Sequence, residues 1–194
     1  NNRFTGNGTG VAVMYSEHIM MVGNEFYNNW DSRAYGVLLK EITDSRMTEN
    51  VFKENTIGVF AEGSNRIEFE NNAFIGNGWA IKIMGNCEDN VFTENNFIGN
   101  TFDVATNSRY NLDNDFHNNF WSDYSGYDLN NDGVGDVPYH PVSLFSYLVE
   151  YNKPTVILIR SPFISLLNLA EKVVPALSPE TLIDDAPLIK KVQW

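Results

Sequence analysis

Asn50-Val51-Phe52-Lys53-Glu54-Asn55-Thr56-Ile57-Gly58-Val59-Phe60-Ala61 is one turn of a word that recurs along most of this chain. Its core, Asn-x-Phe, stands at Asn2-Phe4, Asn24-Phe26, Asn50-Phe52, Asn72-Phe74, Asn95-Phe97 and Asn118-Phe120, in steps of 22, 26, 22, 23 and 23 residues. Seven residues after Phe comes a β-branched residue in Val11, Val59, Ile81 and Val104. In the second unit it is Val37, displaced by an insertion of four near 30–33. Two residues further on lie Val13, Leu39, Ala61 and Ile83. Three residues after each Phe is a further Asn, at Asn7, Asn29, Asn55, Asn77 and Asn100, and five before it stand Met21, Met47, Phe69 and Phe92.

Each unit thus holds three short apolar stretches with a spacing of two, separated by Asn/Gly corners. That pattern predicts an all-β fold, a right-handed parallel β-helix with coils of about 22 residues and three short strands each, over residues 1–122. Stacked coils about 4.8 Å apart put like residues over like. Phe then stacks on Phe inside, and corner Asn amides bond to those above and below. The Leu-x-x-Leu-x-Leu word of leucine-rich repeats is missing, and the spacing does not suit amphipathic helices.

The 194 residues carry 13 Lys+Arg against 25 Asp+Glu, a net charge of −12. Such a surface repels phosphate backbones, which argues against nucleic acid as a partner. A single cysteine, Cys87, excludes an internal disulfide and any CxxC site. No run of 18 apolar residues is present to span a bilayer. The chain opens inside a repeat, and no signal peptide is visible. The expectation is the C-terminal part of a longer protein, with any leader in the missing N-terminal portion.

Beyond residue 122 the composition changes. Residues 123–141 form an aromatic and acidic loop, expected to cap the last coil, whose open edge would otherwise invite aggregation. Within it, Asp128, Asn130, Asp132 and Asp136, with Gly133 at the turn, match the first nine positions of a calcium loop. The twelfth position is Tyr139 instead of Glu, and an Asx/Gly turn without metal explains the same residues. Residues 142–194 form a tail. It reads as a short helix over 142–151, an extended segment over 154–159, and a second helix with Ser161 as N-cap and Pro162 at its first position. Phe163, Ile164, Leu166, Leu167, Leu169 and Val173 give that helix a broad apolar face, and Leu188, Ile189, Val192 and Trp194 add apolar surface beyond any obvious core. Lys190 and Lys191 make the end locally basic, as suits a membrane surface. Such a face packs on the β-helix or docks on a partner.

The run Asn119-Phe120-Trp121-x-Asp123-Tyr124-x-Gly126-Tyr127-Asp128-x-Asn130-x-Asp132-Gly133-x-Gly135-Asp136-x-Pro138-Tyr139, then Pro141-Val142-Ser143-Leu144-Phe145, resembles the end of the NosD family. So do Arg160-Ser161-Pro162 with Leu166-Leu167-x-Leu169-Ala170-Glu171, and Asp185-Ala186-Pro187-Leu188. The resemblance implies a periplasmic, non-enzymatic β-helix protein serving maturation of nitrous oxide reductase. Its implied partners are the ATPase and permease subunits of an ABC transporter, a copper-chaperone lipoprotein and the reductase. The tail helices would dock on the permease and hold the protein peripheral to the membrane.

Copper(I) prefers Met, Cys and His. Met14, His18 and Met20 form the best local set of soft donors, and Met84 with Cys87 the second. Met21 and Met47 fall in the inward column and read as core. Parallel β-helices also suit cell-surface carbohydrate or protein binding, or a polysaccharide lyase or epimerase built on outward carboxylates. The outward charges are Glu62, Glu68, Asp89 and Asp103 with Lys40, Arg46, Arg66 and Lys82, and the stacking sets Arg46 beside Glu68 as a surface ion pair.

Overall fold

The computed structural model describes every residue except Arg109, Asn111, Leu112, Arg160, 175–177, Glu180 and Trp194, and describes Lys153, Lys172 and Val173 without their side chains. Each coil of the right-handed parallel β-helix contributes to three faces. The first is a six-stranded parallel sheet of Arg3–Thr5, Glu25–Tyr27, Val51–Lys53, Ala73–Ile75, Asn96–Ile98 and Phe120–Trp121. The second holds Thr9–Glu17, Ile57–Glu62, Trp79–Ile83 and Phe102–Thr106, and the third Met20–Val22, Asn65–Glu70, Val91–Thr93 and Asp115–His117. The long strand Tyr35–Thr48 runs through both and joins them into one nine-stranded sheet.

Strand register reproduces the columns. Val11, Val37, Val59, Ile81 and Val104 stand in line, as do Met21, Met47, Phe69, Phe92 and Phe116. Rings of the first face stack nearly parallel, with Phe26–Phe52 centroids 4.9 Å apart, Phe52–Phe74 4.8 Å and Phe74–Phe97 4.9 Å. Their spacing is the strand spacing, so ring contact and backbone ladder reinforce each other.

Two corner ladders of asparagine run the length of the coils. In the first, Asn24 donates to Asn50, Asn50 to Asn72, Asn72 to Asn95 and Asn95 to Asn119, each through both its backbone N–H and its side-chain amide. A second amide hydrogen reaches a carbonyl, as Asn72 Nδ2 does to Met47 at 2.8 Å. Buried corners thereby satisfy their polar groups without water.

The last rung differs from the reading of Asn118-Phe120. Asn119 continues the ladder, and Trp121, not Phe120, stacks on Phe97 at 4.0 Å. Asn119 then has no asparagine beyond it. Asp184, fully buried and 65 residues later, takes that place. Its Oδ2 accepts from Asn119 N (3.3 Å), Asn119 Nδ2 (3.1 Å) and Trp121 Nε1 (2.8 Å), and its Oδ1 from Ala186 N (3.1 Å). Asp184 and Leu188 form parallel bridges to Phe116 and Phe120, so residues 184–188 lie on the end of the solenoid like a further rung. Leu188, expected as a docking residue, lies half-buried at that end and forms bridges to Phe120 and Val134.

Among the described residues, two α-helices follow the cap loop. Helix α1 (Leu144–Tyr151) is capped by Ser143, and α2 (Pro162–Val173) by Ser161, whose hydroxyl accepts from Ile164 N. Between them, Lys153–Leu158 is a 3-10 helix and not the extended segment expected over 154–159. Lys82 fastens α1 to the wall through Glu150 at 2.6 Å, in a largely buried pair, with the ammonium 4.9 Å from the Trp79 ring.

Candidate functional site

One position changes character along the second face. The residue before each β-branched position is Gly10, Gly36, Gly58, Ala80 and then Asp103. The early glycines are steric: a Cβ at Gly36 would stand 2.6 Å from the carbonyl oxygen of Gly58, and one at Gly58 2.6 Å from that of Ala80. The strand Phe102–Thr106 pairs with a coil on one side only, and its other edge is covered by the chain at 141–146. A side chain fits there, and Asp103 enters the space between the last coil and the cap.

That space is a cavity of about 550 Å³. Phe102, Asp103, Phe145 and Ile164, all buried, form its floor, and the more exposed Asp123, Tyr127 and Asn168 lie at its mouth. The cap holds its shape through Tyr124, whose hydroxyl donates to Val137 O at 2.7 Å. Gly126 and Gly135 flank the Tyr124 ring so closely that a Cβ on either would overlap it. This is why the cap reads Tyr-x-Gly and later Gly.

Asp103 accepts from Asn100 Nδ2 at 3.1 Å and from Tyr139 OH at 3.4 Å. Burial, aided by the charge of Asp123, raises its carboxyl from 3.8 to about 7. Burial, then the charges of Asp103, Asp123 and Glu171, push the Tyr139 phenol well above its ordinary value. An Asp whose folded value is raised stabilises the fold fully below its unfolded value near 3.8 and loses that contribution as pH rises through about 7. Denaturation of wild type should therefore show stability falling between pH 4 and 8 by on the order of 4 kcal/mol more than Asp103→Asn shows. Parallel curves for the two proteins would refute the buried charge.

The sequence suggests Asp103 as an outward charge for an enzyme face, and the cap's closure over it corrects that expectation. The other outward charges are mostly paired with one another. Lys40 meets Glu62 at 3.5 Å, Arg46 meets Glu68 at 3.5 Å and also Glu70, and Arg66 grips Asp44 at 2.7 Å. The Arg66 guanidinium holds the Asp44 carboxyl well below its usual range.

The soft donors occupy two places. Met14, His18 and Met20 are exposed on one coil, with Met14 opposite Lys40 and Met20 opposite Arg46. His18 adopts the left-handed conformation that separates the two strands, and its Nδ1 lies 3.3 Å from Asp44 O. Cys87 sits in the core with its Sγ accepting from Ser64 N, while Met84 lines a shallow outer pocket with Glu62 and Asn107. Burial pushes the Cys87 thiol up, away from thiolate character.

At least one side-chain oxygen of each of Asp128, Asn130, Asp132 and Asp136 is engaged within the 128–136 loop, while Asp128 Oδ1 is buried without a hydrogen-bond partner. Asp128 accepts from Gly133 N, Asn130 from Asp132 N, Asp132 from Val134 N and Asp136 from Leu129 N. Among the described residues no three His, Cys, Asp or Glu side chains converge as a metal site.

Helix α2 has two apolar faces. Ile164, 4% exposed, and Leu167 pack against Phe102, Phe145 and Val149. These two, expected as docking residues, face their own chain. Phe163, Leu166 and Leu169 point away, 61%, 65% and 58% exposed, and Ile157 of the 3-10 helix is 86% exposed. The Val173 side chain and Trp194 lie outside the described residues.

A family model described as periplasmic copper-binding protein (NosD) matches residues 1–126. A protein of Stutzerimonas stutzeri named probable ABC transporter binding protein NosD is 29% identical over 198 residues, covering 92% of this chain and 44% of that protein. A protein of the same name from Pseudomonas aeruginosa is 30% identical over 193 residues, covering 90% of this chain and 44% of its own length. The chain spans less than half of either relative. With the stacked coils, both asparagine ladders and the start of the cap inside the matched region, the chain belongs to the NosD family.

Proposed function

We propose that this chain is a non-enzymatic, extracytoplasmic module of copper delivery for the maturation of nitrous oxide reductase. It works with an ABC transporter of ATPase and permease subunits and with a copper-chaperone lipoprotein, and meets the membrane through the permease. The observation that carries this reading is the outward apolar face of Phe163, Leu166 and Leu169 on α2, whose other apolar face is already packed, with Ile157 of the preceding 3-10 helix exposed as well. Contiguous exposed apolar surface on an otherwise charged protein marks a docking site. The names of the two relatives as transporter-binding proteins support the same partner. Copper(I) is cargo in this reading, with Met14, His18 and Met20 as its soft donors and Met84 with Cys87 second. The 128–136 loop serves as a hydrogen-bonded turn, and calcium is a further use of its oxygens that this reading does not require.

Phe163→Asp with Leu166→Asp should lower co-purification with the permease–ATPase pair at least tenfold and leave the far-ultraviolet circular dichroism unchanged. Undiminished capture would overturn the docking surface. Cargo is read in the same preparation by anaerobic Cu(I) competition against a chromophoric chelator. His18→Ala with Met20→Ala should weaken binding, and an unchanged titration would remove that set.

A further inference from the structure

The cavity between the last coil and the cap is not needed for docking through the outward face of α2, and its lining is chemically one-sided. Asp103, Asp123 and Glu171 all act on Tyr139, from the last coil, the cap and α2 respectively. Among the described lining residues there is no Lys or Arg to answer them. His140 also lines the space, and its Nδ1 is buried without a hydrogen-bond partner. The rings of Tyr124 and Tyr139 meet nearly perpendicular, at 83° with centroids 5.9 Å apart, and make an aromatic corner. Phe102 and Phe145 close the floor.

A carboxylate taken out of water without a countercharge is costly, and a cation that enters with it removes that cost. The Tyr124 and Tyr139 rings in the lining offer the alkyl part of an organic cation an apolar surface. Anions are repelled. A bare divalent ion lacks converging ligands among the described residues. The cavity, at about 550 Å³, is large enough for an organic group.

We propose that this cavity binds an alkylammonium group, with Asp103 as its buried counter-ion and the Tyr124–Tyr139 corner as its aromatic wall. The ammonium belongs to a free amine or to a lysine side chain of a partner protein. Binding favours the ionised carboxylate, so near pH 7 complex formation releases a proton from Asp103 to solvent.

Calorimetric titration of the whole chain with n-butylammonium chloride tests this, with 1-butanol as the neutral isostere. Repeating it at pH 7 in two buffers of different ionisation enthalpy reads the released proton. The amine should bind with a Kd of about 1 mM or tighter, and the alcohol at least tenfold more weakly. Asp103→Asn should weaken the amine at least tenfold and abolish proton release. Asp123→Asn, at the exposed mouth, weakens binding and reduces proton release without abolishing it, because the Asp123 charge helps raise the Asp103 carboxyl, and it keeps the test valid should Asp103→Asn misfold. Nα-acetyl-lysine methylamide distinguishes the sources: tighter binding than butylammonium assigns a protein lysine, weaker binding a free amine. No binding of either amine, equal binding of butanol, or amine affinity unchanged in both variants overturns the proposal.

Discussion

Asp184→Ala is expected to lower stability by about 4 kcal/mol and to fray the solenoid from its last coil. Four donors converge on this one carboxylate: the backbone and side-chain amides of Asn119, the Trp121 indole and the Ala186 N–H. Each buried donor left without an acceptor costs about 1–3 kcal/mol, and relaxation keeps the sum below simple addition. An opposing term exists. Burial raises the Asp184 carboxyl above its ordinary value, so the charge itself is held at a cost that alanine removes. The donors outnumber that single penalty. Asp184→Asn separates the two effects. It keeps an acceptor for Asn119 and Trp121, removes the charge and loses only the bond from Ala186, so about 1 kcal/mol is expected. Denaturant melts give the magnitudes. Hydrogen exchange gives the location, since terminal coils of a solenoid open without the rest. Protection should fall at the Phe116 and Trp121 rungs and persist at the Phe52 rung. An alanine variant as stable as wild type would mean that desolvation dominates.

This contact also changes what truncation would mean. Cutting the chain after Tyr151 removes the outward face of α2, but it removes Asp184 and Leu188 as well. Loss of partner capture by the shortened chain would mix lost docking with an uncapped solenoid. The paired aspartate substitutions on α2 avoid that confusion.

The columns of the solenoid are legible in the sequence because stacking makes them a repeated physical demand. Every coil must place an aromatic over an aromatic and an amide over an amide, so the demand is written five or six times. The last rung misleads because Asn118-Asn119-Phe120-Trp121 satisfies both Asn-x-Phe and its one-residue shift. The ladder selects Asn119, and the space over Phe97 takes the larger indole. Residues 154–159 mislead for a different reason. The β-branched run Thr155-Val156-Ile157 favours a strand only where a neighbouring edge can pair with it. Here the segment satisfies its backbone locally, as Thr155 N does on Asn152 O. Asp184 is invisible in the sequence because its partners lie more than 60 residues away and obey no repeat. Asp103, by contrast, leaves a signal that the repeat alone makes readable: Gly, Gly, Gly, Ala and then Asp in one column. A bulky acid at a position otherwise restricted by the next coil marks the place where the stack ends and a cavity begins.

The second large effect is expected inside the ladder. Asn72→Ala deletes the acceptor for Asn50 N (3.0 Å) and Asn50 Nδ2 (3.1 Å), and the donor to Met47 O (2.8 Å), all at buried atoms. A loss of about 4 kcal/mol follows, from the same range per unsatisfied group. The location should differ from that of Asp184→Ala. Asn72 sits between coils on both sides, so the defect splits the stack, and the loss of protection should reach the Phe52 and Phe74 rungs together. Asn2→Ala is the internal control. Asn2 is exposed, and its side chain donates to Asn24 at 3.2 Å where water can substitute, so less than about 1 kcal/mol is expected. Asn72→Asp sharpens the assignment of roles. A carboxylate still accepts from Asn50, but it sets an oxygen against Met47 O and Asn95 Oδ1, where the amide hydrogens were. It should therefore destabilise at pH 7 at least as much as alanine and recover part of the loss near pH 4, where protonation restores one donor. Equal effects of Asn72→Ala and Asn2→Ala would show that ring stacking alone holds the coils in register. A gradient from exposed to buried rungs would show that each amide contributes in proportion to the water it replaces.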